Sequence, residues 1–247
     1  MGRLHKIAFT AGLLPLIAAV FGAPSTNSFA AEKSISLVGI AGSDANRLAA
    51  LILDRAYDQI GYKANISFLP GKRASLEAIN GKFAGELART EIYGRKHPAL
   101  TRIPTPIFVV RGAAFAIEER VKLREAGDLA KYSIGVLRGI AYSDRLTKGL
   151  DRTYANNITQ LFRMLERRRV DLVIVTDLSG ETEIAANFQG AGIRMISDKL
   201  MVLPVYHYLH ASFRHVVPEI SGVLEQFEEQ GKLAKLRAGF IKGNREQ

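Results

Sequence analysis

The chain has 247 residues, no cysteine and a formal net charge of +10 at pH 7. The missing cysteine excludes disulfides, thiolate catalysis, Cys-based zinc sites and a lipid-bearing Cys of the lipoprotein kind. The positive charge favours anionic partners in general, but the basic residues are not interleaved with aromatics as a nucleic-acid stacking platform requires. No nucleic-acid partner and no lipid anchor are expected.

The first thirty residues read as a signal for export. A basic, acid-free opening (Arg3, Lys6) precedes an apolar run from Ile7 to Phe21, a polar stretch and the small-x-small site Ser28-Phe29-Ala30. That order marks a secretory signal peptide, with cleavage expected after Ala30. The alternative is an uncleaved anchor. The apolar run is short for a bilayer span of about 20 residues, and Gly12 and Pro15 interrupt it. Removing residues 1–30 leaves 217 residues, enough for one large domain or two lobes, and a charge near +8 once Arg3 and Lys6 are gone.

The remainder alternates strands and helices. A strand over 35–40 leads to a helix capped by Ser43 or Asp44 that runs to Ile60 and stops at Gly61. A strand over 63–69, the turn Pro70-Gly71 and a short helix from Arg73 to Asn80 follow. Helical periodicity and stop signals mark these elements, and strand-helix-strand succession implies a parallel sheet. A strand over 83–88 leads into a loop with Gly94 and Pro98, then an extended stretch from Arg102 to Ile117. Pro104 and Pro106 argue for an edge position at its start. The pattern then restarts with a strand over 133–137, a turn at Gly139, a helix over 141–150 and a short strand at Tyr154-Ala155. Asn156 or Asn157 caps a helix over 158–168. A buried strand over 170–175, a helix over 181–188 opened by Ser179-Gly180, an extended run over 195–210 and an amphipathic helix over 218–238, interrupted at Gly231, complete the chain. The run Arg167-Arg168-Arg169 closes a helix, where cations complement the dipole, and reads as a solvated helix end.

Two α/β modules joined by extended segments near Arg111-Gly112 and Leu203-Pro204 imply a hinge and a cleft. In such sheets ligands sit beyond the carboxyl ends of the strands. No enzyme signature fits. There is no G-x-S-x-G elbow, Gly71-Lys72 lacks the earlier glycine of a phosphate loop, and Gly190-Ala191-Gly192 lacks a third glycine. His207 and His210 face opposite ways on a strand, so they meet a metal with His215 only after a bend. Neither metal nor cofactor is expected, and the chain reads as a non-enzyme. What remains is a set of polar groups at strand ends: the turns 39–43 and 137–143, the stretch 176–179, and Arg73, Glu86 and Arg89.

Several segments carry a resemblance: 69–74 with 79–89 (Gly81-Lys82-Phe83-Ala84-Gly85-Glu86-Leu87-Ala88-Arg89), 129–139, 161–165 with 169–174, and the tail from Val217-Pro218 to Leu233. In these the chain resembles the periplasmic solute-binding proteins of the amino-acid-binding type, as a divergent branch. The resemblance covers nearly all of the chain beyond residue 30. It implies an α/β, two-lobed type II periplasmic-binding fold with a hinge and an interlobe ligand cleft, and a solute presented to a membrane importer or sensor. Lobe 1 is expected to comprise 31–112 and 204–247, and lobe 2 to comprise 113–203. The chain departs from the family at Ala84, where an Asp before Gly is common, and at Thr176, where the Asp that holds an amino group is common, with Asp177 one residue later. Arg89 and Arg95 both compete for the role of carboxylate clamp.

The candidate ligand-binding residues are Arg73, Glu86, Arg89, Arg138, Tyr142, Thr176 and Asp177. Arg89 could grip a carboxylate in bidentate fashion or pair with Glu86 or Glu91. A cation at Arg73 opposes a helix dipole, which points toward function. Asp177 could hold an amino group or cap a helix, and Tyr142 could stack or pack. The expected function is capture of a small polar solute, an amino acid or small organic anion, by a monomeric periplasmic protein. The alternatives are a regulatory or sensory partner whose ligand site is altered or lost, and an enzyme using Glu86 as general acid or base.

Overall fold

In a computed structural model that describes residues 1–2 and 33–243, a nine-stranded sheet runs through the whole described chain beyond residue 32. The signal-peptide reading falls outside the described residues. In chain order the elements are β1 (Lys33–Ile40), α1 (Asp44–Gln59), β2 (Tyr62–Leu69), α2 (Gly71–Ile79), β3 (Gly85–Thr90), α3 (Glu91–Lys96), β4 (Leu100–Arg102) and β5 (Phe108–Ala116). They continue with β6 (Ile134–Leu137), α4 (Ala141–Leu146), β7 (Arg152–Ala155), α5 (Ile158–Glu166), β8 (Leu172–Thr176), α6 (Asp177–Asn187), β9 (Arg194–His210), α7 (Val217–Glu229) and α8 (Lys232–Gly243). The strand order is β2-β1-β3-β9-β5-β8-β6-β7, with β4 added alongside β9.

The two βαβ modules appear as two parallel groups. β1 pairs in parallel with β2 and β3, and β6 does so with β7 and β8. β5 and β9 lie between the groups, antiparallel to each other and to their outer neighbours. Their mutual register shifts between Gly112 and Ala114. The apolar core divides at the same place. Phe108, Val110 and Val205 join a cluster with α1, α7 and α8. Ala113 and Phe115 pack instead with α5, and Ala114 and Ala116 with β6 and β8. The extended stretch expected over 102–117 is broken: Pro104 and Pro106 lie in a bend between β4 and β5 rather than in an edge strand, and β5 itself runs between β9 and β8, while Ile103 and Ile107 still donate their N–H groups to His207 and Val205 of β9.

Side-chain caps set the starts of α1, α5 and α6. Ser43 Oγ accepts the N–H of Asn46 at 3.3 Å, and Asn157 Oδ1, not Asn156, accepts that of Gln160 at 2.8 Å. Two further elements differ from expectation. The loop after β3 contains the short helix α3, whose Gly94 lies against the Tyr208 ring; a Cβ there would stand 2.3 Å from a ring carbon. Helix α6 begins at Asp177 rather than Glu181, because the Thr176 hydroxyl takes the N–H of Ser179 at 3.3 Å and an acidic Asp177 suits the first turn. Gly180 therefore lies inside the helix, and a Cβ there would sit 2.2 Å from the Phe115 ring. Gly-to-Ala exchange in a helix ordinarily stabilises by about 1 kcal/mol. Gly180→Ala is expected to reverse that sign and cost about 1–3 kcal/mol through overpacking; a urea midpoint at or above the wild-type value would refute it.

Candidate functional site

Where the two groups of strands face each other, a cavity of about 450 Å³ opens. One side is the turn from β1 into α1, with Gly42, Ser43, Asp44 and Ala45. The opposite side gathers Leu137, Ile140 and Tyr142 around the β6–α4 turn, Asn157 and Ile158 at the start of α5, and Ile174, Val175, Thr176 and Ser179 around the β8–α6 junction. Val110 of β5 completes the lining. The site thus lies beyond the carboxyl ends of β1, β6 and β8, as the connectivity of an open α/β sheet dictates.

Four helices, α1, α4, α5 and α6, start at this cavity. Ser43, Asn157 and Thr176 each cover one first-turn N–H. The remaining first-turn N–H groups have no intrahelical partner, and their dipoles favour negative charge. The side chains are otherwise largely apolar. Asp44 is the one formally charged residue of the lining, and it pairs with Arg47 at 2.5 Å. Burial first, and the Asp177 carboxylate second, raise the Tyr142 hydroxyl above the usual tyrosine value, so this ring enters the site as a neutral phenol.

Of the sequence candidates, Tyr142 and Thr176 line the cavity and the others do not. Arg138 follows Leu137 but is exposed; it reaches the Asn156 side chain at 3.3 Å and lies 5.1 Å from the Tyr154 ring centre. Arg73 is on α2, 63% exposed, with Glu77 at 3.4 Å. Arg95, the rival of Arg89, is exposed and pairs with Glu91 at 3.2 Å. Glu86 is buried and its two carboxylate oxygens accept from Arg89 Nε and from the Tyr93 hydroxyl. Arg89 also donates to Ser75 at 2.9 Å and lies over the Tyr93 ring at 4.5 Å. Burial first and the Glu86 carboxylate second push the Tyr93 hydroxyl up to about 12. Asp177 is buried too. It accepts the Arg111 N–H at 2.9 Å, the Leu178 N–H at 2.8 Å and a guanidinium N–H of Arg237 at 3.1 Å.

Sequence reasoning located the three turns and missed the apolar lining. The signal was present: Leu137, Ile174 and Val175 are the last apolar residues of strands that end at those turns.

The three histidines do not come together, and among the described residues no group of three or more His, Asp or Glu could hold a metal ion. His210 Nδ1 lies 2.7 Å from Ser212 Oγ, and His215 stacks on Phe213. His207 is fully buried. Its Nδ1 is 2.7 Å from the Glu86 carbonyl oxygen, which can only accept, so Nδ1 carries the proton. Nε2 then accepts from the Tyr57 hydroxyl at 2.8 Å. Burial pushes the imidazole down from 6.5 to about 4. The folded state therefore binds fewer protons than the unfolded chain, and stability falls as pH drops from 6.5 to 4. This window is worth about 3 kcal/mol. Urea midpoints measured from pH 7.5 down to 4.5 are expected to fall, and His207→Gln should flatten the profile; equal slopes in both proteins would refute the assignment.

No family model matches the chain. Among curated proteins, an uncharacterized protein of Shewanella oneidensis is 27% identical over 190 residues, spanning 74% of this chain and 72% of that one. Among solved structures, the unliganded, open L-cystine solute receptor of Neisseria gonorrhoeae matches 86% of this chain and 94% of its own, at 11% identity and a TM-score of 0.71. An amino acid ABC transporter substrate-binding protein of Streptococcus pneumoniae, bound to L-arginine, matches 87% and 97% at 13% identity and a TM-score of 0.60. A histidine kinase sensor domain similar to periplasmic binding proteins matches 85% and 96% at 14% identity and a TM-score of 0.62. The chain has the two-lobed α/β fold of the type II periplasmic binding proteins. No described helix is long and apolar enough to cross a membrane.

Proposed function

We propose that this chain is a periplasmic solute-binding protein, exported through a signal peptide cleaved after Ala30. It acts as a monomer that takes a small solute between its lobes and presents it to a membrane importer or sensor. The observation that carries the reading is the cavity bounded by 42–45 on one side and by strand ends of 137–179 on the other. Lobe 1 is 31–112 with 204–247 and lobe 2 is 113–203; the register shift at Gly112–Ala114 and the split of the core between Val110 and Ala113 support that division. Closure about β5 and β9 is a hinge motion.

Within this reading the solute is a small organic molecule with an apolar body and one polar or anionic end, an amino acid with an apolar side chain included. The body packs against Val110, Leu137, Ile140, Tyr142 and Ile174, and the polar end meets Thr176, Ser179 and the open helix N–H groups. A thermal-shift screen of amino acids and small organic acids tests this. A specific shift that disappears in Ala45→Trp, with the unliganded protein still folded, is the expected result. A shift that survives Ala45→Trp would sink the cleft assignment, and turnover of the solute would make the protein an enzyme.

The second reading is a regulatory or sensory partner without a working ligand site. It draws on the engagement of Glu86, Arg89 and Asp177 with internal partners. Absence of any shift across the screen would favour it.

A further inference from the structure

A second concavity, open and about 920 Å³, lies on the other face of α5. It is lined by Thr153 and Tyr154 of β7, by Asn157 at the start of α5, and by Arg163, Arg167 and Arg169 on and just after that helix. All three arginines are exposed. Among the described residues none of them has an ion-pair partner, not even Glu166 on the same helix. By contrast, Arg168 points elsewhere, with Glu118 at 3.8 Å.

The floor of this groove is a free sheet edge. Among the described residues β7 ends the strand order and pairs only with β6. The N–H of Ile134 reaches the Asp151 carbonyl at 3.1 Å and that of Arg138 reaches the Ala155 carbonyl at 3.0 Å. Residues 151, 153 and 155 therefore aim their backbone groups inward. By alternation Arg152 and Tyr154 aim theirs at the open edge. Such an edge is a template for a further strand.

We infer that this groove docks an extended, acidic segment of a partner protein, which adds as a strand along β7 and places its carboxylates on Arg163, Arg167 and Arg169. An added strand supplies the backbone partners that Arg152 and Tyr154 lack, and guanidinium groups bind carboxylates in bidentate fashion. Both contacts call for one occupant: a lipid surface or a polyphosphate would satisfy the arginines and leave the edge unpaired. The groove also ends at Asn157, which caps α5 and lines the interlobe cavity, so the two sites share a wall.

The test is a fluorescence-anisotropy titration of a labelled Glu-Val-Glu-Val-Glu-Val-Glu peptide with the full chain. Saturable binding is expected, weakened about tenfold or more in Arg163→Glu/Arg167→Glu, which is about 1.4 kcal/mol. A similar loss is expected when alternate backbone nitrogens of the peptide are methylated. Arg55→Glu, an exposed change outside the groove, should leave binding unaltered. Binding that ignores N-methylation would overturn the proposal, since it would mark a plain polyanion sink. So would absence of binding, or tighter arginine-dependent binding to phosphatidylglycerol vesicles or polyphosphate than to the peptide.

Discussion

Glu86→Ala is expected to destabilise the protein by about 3–5 kcal/mol, because it removes one member of a buried ion pair and strands the other. Arg89 keeps only 12% of its side chain exposed and Glu86 only 2%. Without the carboxylate, Arg89 retains Ser75 at 2.9 Å and the Tyr93 ring face, neither of which carries a negative charge, and the Tyr93 hydroxyl loses its acceptor. Replacing both members with apolar side chains of similar shape removes the uncompensated charge, so Glu86→Leu/Arg89→Met should recover most of the loss. Urea unfolding of the three proteins measures both effects. A cost below about 1 kcal/mol for Glu86→Ala would place the pair among ordinary surface bridges and return Arg89 to the list of ligand clamps.

The second large effect is expected at Asp177. Its carboxylate joins three elements: the N–H of Arg111 on β5, the start of its own helix α6 at Leu178, and Arg237 of α8. Arg237 also holds Glu181 at 2.7 Å. Asp177→Ala leaves two backbone donors and a guanidinium short of an acceptor, at about 1–3 kcal/mol for each buried group left unpaired. A total near 3 kcal/mol is expected. Asp177→Asn keeps an amide oxygen for a backbone N–H and should cost clearly less. Both variants should retain any solute-induced thermal shift of the wild-type protein, because Asp177 does not line the cavity. Loss of that shift in a folded Asp177→Asn protein would make Asp177 a ligand contact.

These two residues mark the boundary between sequence and tertiary structure in this protein. The alternation of strands and helices, a cap at Ser43 or Asp44 and another at Asn156 or Asn157, and the three turns that border the cavity were legible in the chain. Each depends on local propensity or on a cap reaching three residues. The start of α6 was misplaced because Ser179-Gly180 reads as the opening of a helix; the room Gly180 leaves for Phe115 depends on a strand 65 residues away.

Which polar groups face the cavity was decided by tertiary structure alone. On a regular strand Glu86 and Arg89, three residues apart, would point to opposite faces. The β3–β9 register shifts between these two residues, and they meet as a buried pair. Asp177 read as either a ligand contact or a helix cap, and the long-range approach of Arg111 and Arg237 claimed it. Chain order alone set where the cleft lies, because connectivity fixes the strand ends. What chemistry the cleft offers followed from side-chain burial against distant elements, which turned Glu86, Arg89 and Asp177 inward and left an apolar lining beneath four helix starts.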